Sequence, residues 1–255
     1  MVMIMNNKAY WAERMENALK LSEKQVTRPL KLLYRKAFKN IRTELLNIWL
    51  DMAGEGEISQ SALYQRNRMS NLQALLSKEL RKLGETNIEY MQTSLYNTFR
   101  NGYESMDKFL GIKGTFSFMD EQVAKQIVSQ NYKGANFSER IWIDMDKLRL
   151  QIEDSITKSA LQGKDVRKVA KVLQERMNVA YSSSKRITVT ETGRIFNESA
   201  RQKAMDRGYN SYSILIEPDA CDDCVREFTG KHFNINESVL PLHPHCHCTI
   251  LIDIN

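Results

Sequence analysis

Every cysteine and every histidine of the chain, four of each, lies between Cys221 and Cys248. The spacing is Cys221-x2-Cys224, followed by His243-x2-Cys246-x-Cys248. Zinc takes four tetrahedral ligands from thiolate and imidazole, and a Cys-x2-Cys turn brings two sulfurs to one ion. Cys221 and Cys224 form the first ligand pair. Two of His243, Cys246 and Cys248 complete the shell, with His243 and Cys246 favoured. His232, His245 and His247 are read as surface histidines or as neighbours of the ligands. The competing states are two disulfides or free buried thiols. Disulfides belong to oxidising compartments, and Met1 to Met5, ended by Asn6, Asn7 and Lys8, are too few for a secretion signal. Few large apolar residues surround the cluster, so the expected role of zinc is structural, supplying stability that a small core lacks.

Catalytic arrangements of the same residues fit less well. A zinc deaminase needs His-x-Glu upstream of Pro-Cys-x-x-Cys, yet no histidine precedes His232 and Pro218 is not adjacent to Cys221. The zincin signature His-Glu-x-x-His is absent. A metal-dependent HNH-like nuclease would use His232, Asn236 and His243, the last on a helix, and Pro241 and Pro244 argue against a helix there. A DNA-binding effector is the remaining alternative. No catalytic residues are assigned.

The elements that must position the cluster are mostly helical. Apolar residues at helical spacing predict a first helix from Lys8 to Leu21, carrying Trp11, Met15 and Leu19. A second begins near Thr27 and Pro29, since proline suits a first turn, and ends at Gly54. A third runs from Glu57 to Leu83 and is stopped by Gly84; a fourth carries Ile88, Met91, Leu95, Phe99, Tyr103 and Met106. Gly111 and Gly114 then loosen the chain before a short helix, Asp120 to Ser129. After a loop containing Gly134, Ser138 caps a helix bearing Ile141, Leu148, Ile152 and Ile156, closed by Gly163. Asp165 caps another, with Val169, Leu173 and Met177, and a separate long helix spans Ser182 to Arg207, ended by Gly208. Beyond it the period changes: Tyr212, Ile214 and Ile216 alternate like a strand, Phe228 to Phe233 has the length of a hairpin around Gly230, and Thr249 to Ile254 is β-prone. The expected fold is mainly α: an elongated helical domain with a small C-terminal α+β zinc-binding module. Its regions are 1–130 (N-terminal helical), 131–208 (helical core) and 209–255 (Cys/His module).

The net charge of +6 is unevenly placed. From Tyr209 onward there are two basic residues against seven acidic ones, giving −5, so the preceding part carries +11. Arg28, Lys31, Arg35, Lys39 and Arg42 follow one another at spacings of 3, 4, 4 and 3, and no acidic residue lies between Lys24 and Thr43. Such a stripe meets DNA phosphates or an acidic protein, or is a solvated face. Glu191, Arg194, Asn197 and Arg201, at spacings of 3, 3 and 4, share another face. They are expected to clamp the Cys/His module onto the helices through charge-assisted hydrogen bonds. No apolar run approaches the roughly 18 to 20 residues of a membrane span, so no membrane contact is expected.

Two stretches resemble the phage Mu protein F-like minor head, or head morphogenesis, proteins. The closing motif is Cys221/Cys224, then Gly230-Lys231-His232-Phe233, then His243-Pro244-His245-Cys246-His247-Cys248. The preceding helix resembles the family's Thr-Glu-x-x-Arg-x-x-Asn stretch in Thr190, Glu191, Arg194, Asn197, Ala200 and Arg201. Asn131 to Trp142 is similar to minor head proteins of phages of Gram-positive bacteria. The resemblance covers about residues 130–250; His245 and His247 stand where the family usually has a polar residue or arginine. It implies a structural minor capsid protein of a tailed phage, inside the virion and assembled in the host cytoplasm. Its implied partners are the portal protein and other head proteins, with double-stranded DNA a further one during packaging or ejection.

Overall fold

The computed structural model describes residues 7–112 and 121–253. Met1 to Met5, Gly114, Asp120 and Ile254, which carried expectations above, lie outside the described residues. The chain forms α1 (Asn7–Ser22), α2 (Arg28–Gly54), α3 (Gln60–Tyr64), α4 (Arg68–Phe109), α5 (Glu121–Ser129), α6 (Phe137–Leu161) and α7 (Val166–Asp206). The C-terminal part adds β1 (Ser211–Leu215), α8 (Asp222–Phe228), β2 (His232–Asn234) and β3 (Thr249–Ile252). Among the described residues no helix is long and apolar enough to cross a membrane.

Several expected breaks are absent, each for a local reason. No loop separates α1 from α2; a π-helical turn, Glu23–Thr27, joins them. Gly84 does not stop a helix, and α4 runs straight through it. A methyl group on Gly84 would stand 2.6 Å from the Trp142 indole, so glycine is there to admit a ring and not to end a helix. The stretch Asn178 to Ser182 holds neither proline nor glycine, and α7 is one helix where two were expected. Asp165 does cap it, accepting from the Arg167 backbone N–H at 2.8 Å. Phe228 ends α8 and forms no hairpin; Gly230, at φ +68, turns the chain into β2.

The chain divides into two compact units, each built from separated segments. The first comprises residues 1–26, 90–137 and 186–255, the second residues 27–89 and 138–185, so α4 and α7 contribute to both. The expected boundaries at 130 and 208 do not coincide with these units. The second unit buries Leu30, Tyr34, Ile41 and Leu45 of α2, Ile141, Leu148 and Ile152 of α6, and Leu173 and Met177 of α7.

In the first unit the sheet order is β2-β1-β3, antiparallel throughout, with Tyr212 opposite Phe233 on one side and Ile252 on the other. Burial alternates along β1, whereas every residue of β3 is buried. The reason is that β3 is covered by α1: Tyr10, Trp11, Met15 and Ala18 share one core with Phe196 and Ala200 of α7, with Tyr212 and Ile214 of β1, and with Ile250 and Ile252. The C-terminal module therefore has a larger apolar core than its own composition suggested, because the first helix of the chain completes it.

Candidate metal centre

Two segments deliver the ligand atoms. Cys221 is the N-cap of α8 and Cys224 sits in its first turn, where the Val225 N–H returns to the Cys221 carbonyl at 3.1 Å. The second segment is the non-helical run from His243 to Cys248, turned by a hydrogen bond from the Cys246 N–H to the His243 carbonyl at 3.2 Å and leading directly into β3. His243 Nε2 lies 3.2 Å from Cys221 Sγ and 3.1 Å from Cys224 Sγ, and Cys224 Sγ lies 3.8 Å from Cys246 Sγ. An ion with tetrahedral thiolate bonds of 2.3 Å sets its sulfurs about 3.8 Å apart, so the Cys224–Cys246 pair is spaced for one.

All five candidate ligands are brought together, as two overlapping triads: Cys221, Cys224 and His243, then Cys224, Cys246 and Cys248. The shared Cys224 is the pivot. Cys221 is exposed, His243 half-buried, and the other three are buried. The four sulfurs are unbridged. This cluster could hold a metal ion.

The electrostatics of the thiols follow from how unequally they are buried and hydrogen-bonded. Burial pushes the Cys224 thiol up to about 12, helped by the neighbouring Cys246. Cys246 is lowered to about 5, chiefly by the hydrogen bond it accepts from Cys248. That same bond, with burial, raises Cys248. Hydrogen bonding from the Cys224 backbone lowers Cys221, and the hydrogen bond to the Pro244 carbonyl, 2.8 Å away, raises His243. Cys246 and Cys221 are thus shifted toward thiolate while Cys224 and Cys248 hold their protons, the starting condition for a cation to displace the rest.

α7 supports the cluster from beneath. Asn197 donates to the Cys248 carbonyl at 3.0 Å and accepts from the Ile250 N–H at 3.1 Å and the Thr249 hydroxyl at 2.9 Å. Arg201 donates to the Ile235 carbonyl at 2.5 Å and is paired with Glu198, which also accepts from the Ser238 hydroxyl. Glu191 and Arg194 form a buried pair at 2.8 Å, and Arg194 lines a cavity with Ser238 to Leu242 of the module. Arg194 also donates to the Ile127 and Val128 carbonyls at the end of α5, satisfying groups that a helix C-terminus leaves open.

Sequence reasoning missed three participants. Thr190 accepts from the His245 N–H at 3.1 Å. Glu198 stands at spacings of 4 and 3 from Arg194 and Arg201, a signal that was available. Gly193 has no such signal: a methyl group there would lie 3.2 Å from the Cys246 carbonyl, so glycine lets α7 approach the ligand loop.

The remaining histidines belong to neither triad. His232, on β2, is exposed and meets Asp253 at 2.8 Å; His245 and His247 are exposed. Asn236 is exposed and donates its backbone N–H to the Asn234 side chain. The segment carrying His243 is not helical, so the hairpin-then-helix of an HNH-like site is not formed there. In the second unit Arg28, Lys31, Arg35, Lys39 and Arg42 are all exposed along α2, as the spacing required.

No curated protein and no solved structure shows a significant match to the chain. Residues 150–251 match the family model described as Phage Mu protein F like protein. That range contains the five candidate ligands, the whole ladder of α7 and the sheet it holds, and over it the chain is similar to the Phage Mu protein F-like family.

Proposed function

We propose that the chain is a structural minor head protein of a tailed phage, acting in head morphogenesis beside the portal. The observation that carries this reading is the overlap of the family match at residues 150–251 with the buried ladder and Cys/His cluster. The centre is a structural zinc site: thiolate-rich donors suit zinc, and four protein ligands leave no open position for water. Its task is to fix the loop His243–Cys248 on α7 as a rigid surface feature, and its location is the virion, with assembly in the host cytoplasm.

Co-expression with the portal protein of the same phage tests the assignment. The chain should co-purify with the portal ring. Failure to associate with portal or immature heads would overturn it. Purified protein with magnesium, manganese or zinc should leave single- and double-stranded DNA uncut. Cleavage lost in His232→Ala or His243→Ala with the fold retained would favour the nuclease.

The basic face of α2 supplies the contact with DNA in this reading, because its five exposed cations stand on a helix whose neighbouring acidic residues begin only at Glu44. If about four of them meet phosphates, log K should fall with log salt at a slope of roughly −3 to −4. Replacing Lys31, Arg35 and Lys39 by glutamine should remove about two to three units of that slope. An unchanged slope would leave the stripe a solvated face.

A further inference from the structure

Beside the basic stripe, in the second unit, α2 and α7 enclose a groove of about 300 Å³. Its α2 wall carries Lys31 and Arg35, one helical turn or ~6 Å apart. Its α7 wall carries the exposed amides Gln174 and Asn178, also one turn apart. Between them lie the rings of Tyr34, Tyr181 and Phe38. No carboxylate is among the described residues that line it.

The aromatic floor is fixed before anything binds. The Tyr34 and Tyr181 rings meet edge to face at 5.8 Å. The Tyr34 hydroxyl is hydrogen-bonded to Ser184 at 3.0 Å, and the Tyr181 hydroxyl donates to the Thr27 carbonyl at 3.3 Å. Both hydroxyls are already engaged; Tyr34 is buried and backs the floor, so the ring surface a ligand can reach is that of half-buried Tyr181 and Phe38. Phe38 is half-buried and brings no polar group at all. A groove with cations on one rim, amides on the other and a rigid aromatic floor matches an anionic chain bearing flat, hydrogen-bonding rings. A purely anionic protein surface would leave the rings unused.

We propose that this groove seats an unpaired base of single-stranded nucleic acid, with the flanking phosphates on Lys31 and Arg35. Stacking on an aromatic ring is tolerant of sequence, and the phosphates carry the electrostatic part of the affinity. A duplex keeps its bases stacked inside and gains only the phosphate contacts. The inference rests on the nucleic-acid contact assigned above to α2 and adds the strand state that this contact prefers.

The test is fluorescence anisotropy of the full chain with a labelled mixed-sequence oligonucleotide and with its duplex, at the same low salt. The single strand should bind about tenfold tighter. Phe38→Leu, which keeps an apolar side chain and loses the ring, should weaken the single strand about tenfold and leave the duplex unchanged. Phe38→Trp should retain the affinity, and its emission should be quenched by the single strand. Gln174→Ala with Asn178→Ala, exposed on α7, repeats the comparison without touching the core and should weaken the single strand selectively. Equal affinity for strand and duplex, indifferent to these variants, would overturn the base pocket and leave the phosphate contact standing. Binding of neither would remove both.

Discussion

Cys224 is the residue on which the candidate centre turns, since it stands in both triads of ligands. Cys224→Ser should therefore abolish binding of about one equivalent of zinc, whereas His245→Ala and His247→Ala should retain it; elemental analysis of purified variants checks both. Because burial holds the Cys224 proton up to about 12, metal entry displaces that proton at neutral pH. Affinity should then rise with pH, about tenfold per unit for each proton displaced, and fall on acidification. Competition with a chromophoric chelator at several pH values reads the slope; a flat profile would mean that the thiols are not the ligands. Asn197 has a different residue-scale role, since one side chain serves three groups at the entry to β3. Asn197→Asp keeps the acceptors and faces a carboxylate toward the Cys248 carbonyl, so denaturant unfolding should show a loss of about 2–3 kcal/mol. At this scale the sequence was informative about which residue types gather, because rare cysteines and histidines in one stretch have few uses. It was silent about which carbonyl or amide each ladder residue meets, since those partners come from folding distant segments together.

At the scale of elements, periodicity located the helical faces and glycine misled about the ends. Met91, Leu95, Phe99, Tyr103 and Met106 of α4 and Ile141, Leu148, Ile152 and Ile156 of α6, picked out by apolar spacing, are buried, whereas Ile88 is only half-buried and Gly84 lies inside α4 instead of ending a helix. A glycine inside a helix has two uses, ending it or admitting a neighbour, and only the neighbour's position distinguishes them. The short α8 was missed because Cys-x2-Cys reads as a turn and its seven residues carry little periodic signal. Two glycines of α4 separate the effects. A methyl group on Gly102 would stand 2.0 Å from the Ser199 hydroxyl and 2.8 Å from the Phe196 carbonyl of α7, whereas at Gly84 the nearest atoms all belong to the indole of Trp142, an exposed side chain. Replacing glycine by alanine in a helix gains about 1 kcal/mol from propensity. Gly84→Ala should accordingly be near neutral, and Gly102→Ala should lose about 1–3 kcal/mol net, because backbone cannot yield as an indole can. Thermal melts of the two variants compare them directly; equal losses would contradict the close approach of α4 to α7.

For the whole molecule the informative fact is that the first helix and the last strand share one core. Local patterning could not reveal this, since nothing in Trp11 or Met15 names Ile250 as a neighbour. It changes what the metal is needed for. Chelation should loosen Cys221 to Cys248 while the amides of β1 and β3 remain protected in hydrogen exchange; uniform exposure of residues 209–253 would show that the ion alone holds the sheet. Trp11 is fully buried against Phe109 and Phe196, at ring separations of 5.6 and 6.1 Å. Trp11→Ala should cost about 3–5 kcal/mol and hasten metal loss to a chelator, although it lies far from the ligands in sequence.

The pairing of α1 with β3 also sets an order of events on the ribosome. Everything the second unit needs has been made once Lys185 has emerged, but α1 must wait for Ile252. At roughly 5–20 residues per second that delay is on the order of 10 to 50 s. During it the apolar face of α1 has only part of its cover, from Met106 and Phe109 of α4. A chaperone that binds this chain during translation should therefore meet α1 first and be released only as β3 arrives.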